Sequence, residues 1–179
     1  TIRAQIQQQF PQIKELTSDE IWQQRIYPYS SAPVILNNQN EPVLQPMRYA
    51  LTPYWSKDER PKFSSYNARL DRNSHQVKEY IYNTPAWRNS FLHTHCLIPI
   101  QRFIESCSSG KFKQQMVQFS ELNEEVLFAA GIWEIWKNPA NGTTLQSFAI
   151  LTDEPSPELI NAGHDRSPVF LNIDNGLSW

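Results

Sequence analysis

The stretch that decides the fold class is VLFAAGIWEIW, residues 126–136. It predicts a long β-strand, because it is apolar, rich in aromatic and β-branched residues and free of proline. Gly131 interrupts it, and a glycine inside a strand indicates a bulge or a close approach of another backbone. Residues 138–142, NPANG, predict a hairpin loop. Residues 148–152, FAILT, then return as a buried strand.

Further strands are predicted earlier in the chain, three runs before Cys107 and one run after it. An extended piece over 29–36 and its partner over 43–51 form a hairpin across the turn 37–40. Two more runs are typical of strands, at 95–105 and 116–119. The strand run 95–100 contains Cys96, which is interpreted as a small buried apolar residue.

Helical patterns are short. Apolar residues at helical spacing predict a first helix that ends near Pro11, and Thr17 three before Glu20 resembles a capping box for a second helix through Trp22. The other helical predictions cover 71–83 (with His75 on the solvent face), a start at Ser156-Pro157, and a final helix within 174–179. The residues that define the first helix are Ile2, Ile6, Phe10 and Ile13.

Strands therefore dominate the middle and end of the chain, with short helices between them. This pattern predicts an α+β fold with a curved, mostly antiparallel sheet or barrel-like core. A length of 179 residues without a repeat or linker predicts one domain over 1–179.

Composition excludes several classes of protein. The chain has no apolar run of membrane-spanning length and no segment resembling a signal peptide, and its two cysteines resemble neither a disulfide framework nor a metal site. We therefore expect an intracellular, cytoplasmic protein without a metal or cofactor. A net charge of −2 gives no bulk electrostatic case for nucleic acid, although a local group of arginines can still bind it.

Two polar pairs stand out. In the segment 163–168, His164 and Arg166 are two residues apart and share one face of an extended chain, while Asp165 points away. Asn67 and Arg69 form a similar pair on a predicted strand. Histidine carries protons near neutral pH and a guanidinium grips phosphate or carboxylate, so these pairs indicate a site. The alternative is a solvated histidine beside surface charges.

Two other features, Glu105 and an aromatic loop, have two readings each. Glu105 lies among apolar neighbours, which favours a raised pKa and general acid chemistry, but it could instead be a strand-end residue paired with Arg102. Tyr54 and Trp55 follow Pro53 in a rigid aromatic loop that is either a lid packed on the core or a stacking surface for bases. Composition alone favours the lid. Residues 85–87 are interpreted as core packing.

In this order and spacing, the motifs resemble the SRAP family, the SOS-response-associated peptidase-like proteins that shield abasic sites in single-stranded DNA. The similarity extends over nearly the whole chain. Besides Asn67-Ala68-Arg69, Glu105 and His164-Asp165-Arg166-Ser167-Pro168, the similar segments are Ala32-Pro33, Tyr49-Ala50-Leu51-Thr52-Pro53-Tyr54-Trp55 (Trp-Gly-Leu-x-Pro-x-Trp in the family), Cys96-Leu97-Ile98-Pro99 with Phe103-Ile104-Glu105, Ala130-Gly131-Ile132-Trp133 and Ile150-Leu151-Thr152.

The resemblance implies a chemistry. In the family, an N-terminal cysteine exposed by removal of the initiator methionine closes a thiazolidine ring with the aldehyde of an abasic deoxyribose. This cysteine, together with the family's Asn, Glu and His residues, also supports release of a short leader. It implies that Asn67 orients the terminus or sugar, that Glu105 is a general acid/base and that His164 moves protons. It also implies DNA contacts: Arg69, Arg166 and Thr152 at phosphates, and Tyr54 and Trp55 stacking at the lesion.

The resemblance further implies a partner, single-stranded DNA with abasic sites, and a monomeric, nucleoid-associated bacterial protein that uses no membrane. The chain departs from the family in several places. The nucleophilic cysteine is not among its residues, which open on Thr1, so we expect a Met-Cys segment before it. The other departures are Ser30, Arg102, Ser106 and Ser167.

Three hypotheses follow. The first is an enzyme that crosslinks to abasic sites. The second is a non-catalytic relative that binds single-stranded DNA without the cysteine. The third is an unrelated cysteine hydrolase using Cys96 or Cys107 with His164, which is disfavoured because Cys96 lies in a β-run without an activating context.

Overall fold

The computed structural model describes residues 1–23, 25–38, 41–74, 77–123, 125–172, 176 and 178–179. Thirteen strands and three α-helices are assigned within these ranges, with 3₁₀ helices at Asp19–Gln23 and Ile81–Asn83. In chain order they are α1 (Ile2–Gln9), β1 (Lys14–Glu15), β2 (Ser31–Asn38), β3 (Glu41–Tyr49), β4 (Asn67–Arg69), β5 (Asp71–Ser74), β6 (Val77–Tyr80), α2 (Arg88–His93), β7 (His95–Ile100), β8 (Arg102–Ser106), β9 (Met116–Ser120), β10 (Leu127–Lys137), β11 (Thr144–Asp153), α3 (Pro157–Ala162), β12 (Ser167–Pro168) and β13 (Phe170–Leu171).

Five strands close into a barrel in the order β3-β2-β7-β10-β11. The first four neighbouring pairs are antiparallel, and a short parallel pairing between β11 and β3, at Ser147↔Arg48 and Phe148↔Tyr49, closes the ring. The predicted α+β fold with a mostly antiparallel, barrel-like core is therefore confirmed.

Alternation along the strands separates a barrel interior from an outer surface. The outer surface has two apolar patches: α1 covers one with Ile6 and Phe10, and α2 with the second 3₁₀ helix covers the other with Ile81 and Trp87. The interior is filled by one cluster of buried side chains, namely Ala32, Val34, Met47, Cys96, Ile98, Ala129 and Phe148.

Gly131 lies at the most crowded point of β10. Its register is continuous on both sides, with Cys96 of β7 and Ile150 of β11 opposite, so the structure has a close approach there and no bulge. A β-carbon at Gly131 would overlap the Ile98 side chain and lie 3.0 Å from the Ala149 carbonyl oxygen. The glycine therefore lets the barrel interior close around it.

The barrel opens at one end, where β11 changes partner. Beyond Phe148, β11 leaves β3 and pairs in parallel with β4, so that Ile150 lies beside Asn67 and Thr152 beside Arg69. Residues 50–66 bridge the gap between β3 and β4. Because β4 continues the sheet past the point of closure, its polar residues lie at the mouth of the barrel.

One helical prediction was wrong. Residues 71–83 contain the hairpin β5–β6 followed by a 3₁₀ turn, with Asp71 opposite Tyr80. The physical reason is tertiary: the Ile81 backbone N–H donates to the Leu70 carbonyl, and the Ile81 side chain is buried in the core. These contacts override the weak helical preference of a polar segment. His75 lies outside the described residues.

The other local predictions had mixed outcomes. The first helix is confirmed, and Ser156-Pro157 begins α3. Thr17 is not a capping-box residue, because its hydroxyl donates to Glu15 and accepts from the Trp22 indole, and the helix that follows is 3₁₀. Residues 37–38 are the end of β2, whereas 39–40 and most of 173–177 lie outside the described residues. Among the helices that the structure describes, none is long and apolar enough to cross a bilayer.

Candidate functional site

A groove of about 900 Å³ lies at the open end of the barrel. It collects side chains from β4, β8, β11 and the segment after α3, together with the aromatic loop before β4. Its lining residues are Trp55, Phe63, Ser64, Tyr66, Asn67, Arg69, Glu79, Thr84, Pro85, Ala86, Trp87, Glu105, Thr152, His164, Arg166 and Ser167.

An imidazole–carboxylate pair lies in this groove. His164 Nε2 is 3.1 Å from Glu105 Oε2, and His164 Nδ1 is 2.8 Å from the Arg166 carbonyl oxygen. His164 Nδ1 also lies 3.2 Å from the Arg166 backbone nitrogen, so the Arg166 backbone holds the ring from this side. The contact between His164 Nε2 and Glu105 is a hydrogen bond that needs one proton, held by Nε2 or by Glu105. The pair is therefore built to exchange a proton with a bound molecule.

The environment favours the protonated form of Glu105. Burial raises the pKa of this carboxyl, and the charges of His164 and Arg166 offset only part of that effect. The direction agrees with the one that its apolar neighbours in the sequence predict. Its observed ionic partner is His164.

His164 and Asp165 differ sharply in exposure. The His164 side chain is 13% exposed and faces the groove with Arg166, whereas the Asp165 side chain is 72% exposed. The alternative of a solvated loop histidine is therefore wrong. The αL conformation of Gly163 at the end of α3 turns the chain so that this segment returns along β11.

The groove also contains polar atoms without hydrogen-bond partners. Arg69 Nε, Thr152 Oγ1 and Arg166 Nε are buried and form no hydrogen bond in the structure, and the nearest carboxylate oxygen to Arg166 Nε, from Asp165, is 3.7 Å away. Unpaired buried donors are costly unless a ligand or ion completes them. Three such groups around one groove indicate an anionic ligand.

Asn67 is held from the barrel side. The Tyr49 hydroxyl lies 3.2 Å from Asn67 Oδ1, and the Tyr49 ring stacks on Phe148 with centroids 5.2 Å apart. Burial and the nearby Glu105 raise the pKa of Tyr49, so its phenol stays protonated. Tyr49 therefore restrains the amide that the sequence singles out.

The aromatic loop is not a lid packed on the core, so that preferred interpretation was wrong. Thr52 and Pro53 are buried, but Tyr54 is 58% and Trp55 48% exposed. Trp55 lines the groove and its indole N–H donates to the Pro85 carbonyl. Tyr54 is not among the lining residues. Buried residues at the start of the loop hold it, while its tip presents aromatic faces to solvent.

Part of the groove wall is made of residues that the sequence did not single out as site residues. Phe63 and Trp87, in edge-to-face contact with centroids 6.1 Å apart, line it together with Tyr66 and Glu79. Trp87 is also core, as predicted, because it is buried beside Ile81. The signal in the sequence was position: Phe63 and Tyr66 lie four residues and one residue before Asn67, on the approach to β4.

Neither cysteine belongs to the site. Cys96 lies in the barrel interior, where burial raises the pKa of its thiol, and Cys107 is buried outside the groove lining. A buried thiol with a raised pKa is a poor nucleophile, which argues against a hydrolase using Cys96. Among the described residues, no group of three or more His, Cys, Asp or Glu could hold a metal ion.

Comparison with known proteins gives a family and a set of relatives. The sequence model described as SOS response associated peptidase (SRAP) matches residues 1–179. Abasic site processing protein YoqW of Bacillus subtilis (strain 168) is 30% identical over 86% of this chain and 64% of its own length. Abasic site processing protein HMCES of Xenopus tropicalis is 24% identical over 84% of this chain and 50% of its own length. The chain thus spans half to somewhat under two thirds of these relatives.

Solved structures share the fold. A crystal structure of a protein from Bordetella bronchiseptica superimposes with a TM-score of 0.76 at 20% identity, covering 98% of this chain and 82% of that one. A protein from Bacteroides thetaiotaomicron gives a TM-score of 0.71 at 19% identity, covering 99% and 76%. At these identities the similarity concerns the fold alone.

Proposed function

The chain belongs to the SOS response associated peptidase (SRAP) family, and we propose that it binds single-stranded DNA at an abasic site in the groove described above. In the full-length protein, an N-terminal cysteine upstream of Thr1 reacts with the lesion. Relatives named as abasic site processing proteins, in bacteria and in vertebrates, support the abasic site as the target.

One observation carries the proposal: a partly buried imidazole–carboxylate pair and three unpartnered donors belong to residues that line the same groove. The donors of Arg69 and Arg166 suit phosphate oxygens on either side of a lesion. The exposed faces of Trp55 and Phe63 suit the neighbouring bases, since aromatic rings stack on any base. This combination fits a strand with one missing base better than a small metabolite.

The chemistry follows from the pair. The abasic sugar must open to its aldehyde, and a protonated Glu105 can deliver a proton to the ring oxygen while His164 accepts one from the hydroxyl. The terminal amine then adds to the aldehyde carbon and water leaves, giving an imine. The thiol adds to the imine carbon and its proton passes to the nitrogen, closing a thiazolidine. One water is released and no electron donor or acceptor is needed.

Release of a short leader uses the same groups. Hydrolysis of the peptide bond before the cysteine needs a proton acceptor for the attacking nucleophile and a proton donor for the leaving amine. Glu105 and His164 supply both roles in turn, and Asn67, restrained by Tyr49, orients the terminus.

The test uses full-length protein with its natural N-terminus and three oligonucleotides of one sequence: one with an abasic site, one with a reduced abasic site lacking the aldehyde, and one intact. We expect an adduct that survives denaturation only with the first, with a mass equal to protein plus DNA minus one water. Replacing the terminal cysteine should abolish it, and Glu105→Ala should change its rate of formation or reversal. An adduct that persists without the cysteine would refute the mechanism. Binding without any adduct would favour the non-catalytic alternative.

The phosphate contacts have their own test. Arg69→Ala and Arg166→Ala should each weaken binding and reduce the slope of log affinity against log salt by about 0.7, the expected value for one phosphate contact on a single strand. Lys137→Ala, an exposed cation outside the groove, is the matched control and should leave the slope nearly unchanged. Equal slopes in all three variants would exclude the two arginines as phosphate contacts.

A further inference from the structure

Glu105 lies on a hairpin that is separate from the barrel sheet. Among the described residues, β8 and β9 pair only with each other, from Arg102↔Ser120 to Ser106↔Met116. His164, by contrast, lies between α3 and β12, which pairs with β11 of the main sheet. The distance between the two groups is therefore not set by a shared strand ladder.

A backbone contact joins the two segments close to the pair. The Ser108 N–H donates to the Gly163 carbonyl oxygen at 3.1 Å, and Ser109 Oγ lies 3.4 Å from the same oxygen. Gly163 immediately precedes His164, and Ser108 lies three residues after Glu105. We call this contact, between Ser108–Ser109 and Gly163, the clasp.

The clasp requires glycine at 163. Its φ is +94°, and a β-carbon there would overlap the Ser109 carbonyl oxygen and lie 2.5 Å from the Ser109 carbonyl carbon. Gly110 packs beside it, with a φ of +66°, and a β-carbon at Gly110 would lie 3.3 Å from Gly163 Cα. Two backbones can touch here only because both positions lack side chains.

Both ends of the clasp are anchored. On the hairpin side, Cys107 is buried and its backbone exchanges hydrogen bonds with Gln114 and Gln115, at 2.8 and 3.0 Å. On the other side, the Gly163 and His164 N–H groups donate to the last turn of α3, each at 2.9 Å. Because hydrogen bonds hold both sides, the clasp fixes the hairpin that carries Glu105 relative to the segment that carries His164.

We propose that the clasp positions Glu105 against His164, with Gly163 as a positioning residue for the proton-transfer pair. Its catalytic consequence rests on the proposed function, but its geometric consequence does not. Without the clasp, the hairpin keeps its apolar contact through Phe103 and Phe170, whose ring centroids are 5.7 Å apart, and swings so that the carboxylate leaves the imidazole.

Two matched pairs of variants test this. Gly163→Ala disrupts the clasp, and Gly142→Ala is its control, because Gly142 has a similar φ of +75° but only a Lys137 side-chain atom at 3.7 Å. Ser108→Pro removes the donor N–H, and Ser108→Ala keeps it. Circular dichroism selects the variants that fold. If Gly163→Ala does not fold, the pair at Ser108 decides.

The first readout is independent of DNA. Carbon-13 NMR titration of labelled glutamate, with Glu105→Gln to assign the signal, gives the carboxyl pKa in the full chain. Burial raises the pKa of Glu105 in the native protein. In Gly163→Ala and Ser108→Pro the pKa should move away from its native value, falling where the swing exposes the carboxylate and rising where it only removes the His164 charge, and in both controls it should not move. An unmoved pKa in folded clasp variants would overturn the proposal.

The second readout is kinetic. In the native background, Glu105→Gln should slow adduct formation by about 100-fold, within the usual range for a general acid or base. In the Gly163→Ala background the same substitution should slow it by about threefold or less, because the pair is already separated. An undiminished effect would refute the positioning role, since a loss of stability alone leaves that ratio unchanged. If no adduct forms even with native protein, the proposed function is refuted, and the NMR titration of Glu105 still tests the role of the clasp.

Discussion

Thr152 offers a sharp test of the groove, because its hydroxyl is buried without a hydrogen-bond partner. The side chain is 3% exposed, lies on β11 beside Arg69, and Oγ1 forms no hydrogen bond. Thr52 is the matched control, since it is 0% exposed but fully bonded. Its hydroxyl donates to the Glu59 carbonyl at 2.6 Å and accepts from the Arg48 guanidinium. The substitution Thr→Val, which replaces hydroxyl by methyl, can be made at both.

The two substitutions should have opposite signs. An unsatisfied buried hydroxyl costs about 1–3 kcal/mol, so Thr152→Val should raise the free energy of unfolding by about 1 kcal/mol. Thr52→Val breaks two hydrogen bonds of a fully buried hydroxyl, so it should lower the free energy of unfolding by about 1–3 kcal/mol. For a chain of this length, about 1 kcal/mol corresponds to a shift of about 2–4 °C in Tm.

Urea unfolding followed by tryptophan fluorescence measures both variants, and DNA affinity is measured by fluorescence anisotropy. If Thr152 contacts a phosphate once its χ1 rotates, Thr152→Val should weaken binding by about fivefold, the value of one modest hydrogen bond. Thr152→Val would then have a higher free energy of unfolding and a lower DNA affinity than the native protein. This combination is expected where a binding group lowers the stability of the free protein.

Equal destabilisation by the two substitutions would contradict the prediction, because it would mean that the Thr152 hydroxyl has a hydrogen-bond partner in solution. A stabilised Thr152→Val with unchanged affinity would separate the two claims: the hydroxyl would be unpaired, as in the structure, but would not contact DNA.

Three further predictions concern stability. Glu105→Gln should gain stability relative to the native protein as pH rises. Burial raises the pKa of Glu105 in the folded protein above the ordinary 4.5, so the native protein loses stability as the pH rises from 4.5 through the folded-state pKa. Urea unfolding from pH 4 to 8 should show the difference in unfolding free energy between variant and native protein growing and never shrinking. Gln114→Gly should stabilise by about 0.5–1 kcal/mol, because Gln114 is exposed with a φ of +64°, and a lower midpoint in urea would contradict this. Gly131→Ala should destabilise by about 1–3 kcal/mol through overpacking, and adding Ile98→Val should recover part of the loss in thermal unfolding; no recovery would place the clash elsewhere.

The candidate site shows what local sequence can and cannot predict. Residues two apart on an extended chain share a face, so the pairs Asn67/Arg69 and His164/Arg166 were identifiable from spacing alone. Glu105 was identifiable as an unusual carboxylate, but its partner was not, because 59 positions separate it from His164 and tertiary contacts bring the two together. Whether the Trp55 loop faced core or solvent depended on packing with residues far away in sequence.

The fold divides in the same way. The sequence by itself determined the strands from 126 onward, the early hairpin and the first helix, because hydrophobic periodicity and turn residues act over a few positions. Only the tertiary structure decided that five strands close into a barrel, that β11 exchanges β3 for β4, and that β5 pairs with β6 where helix was predicted. Closure and partner exchange are settled by contacts across the chain, and the groove exists only where that exchange leaves the barrel open.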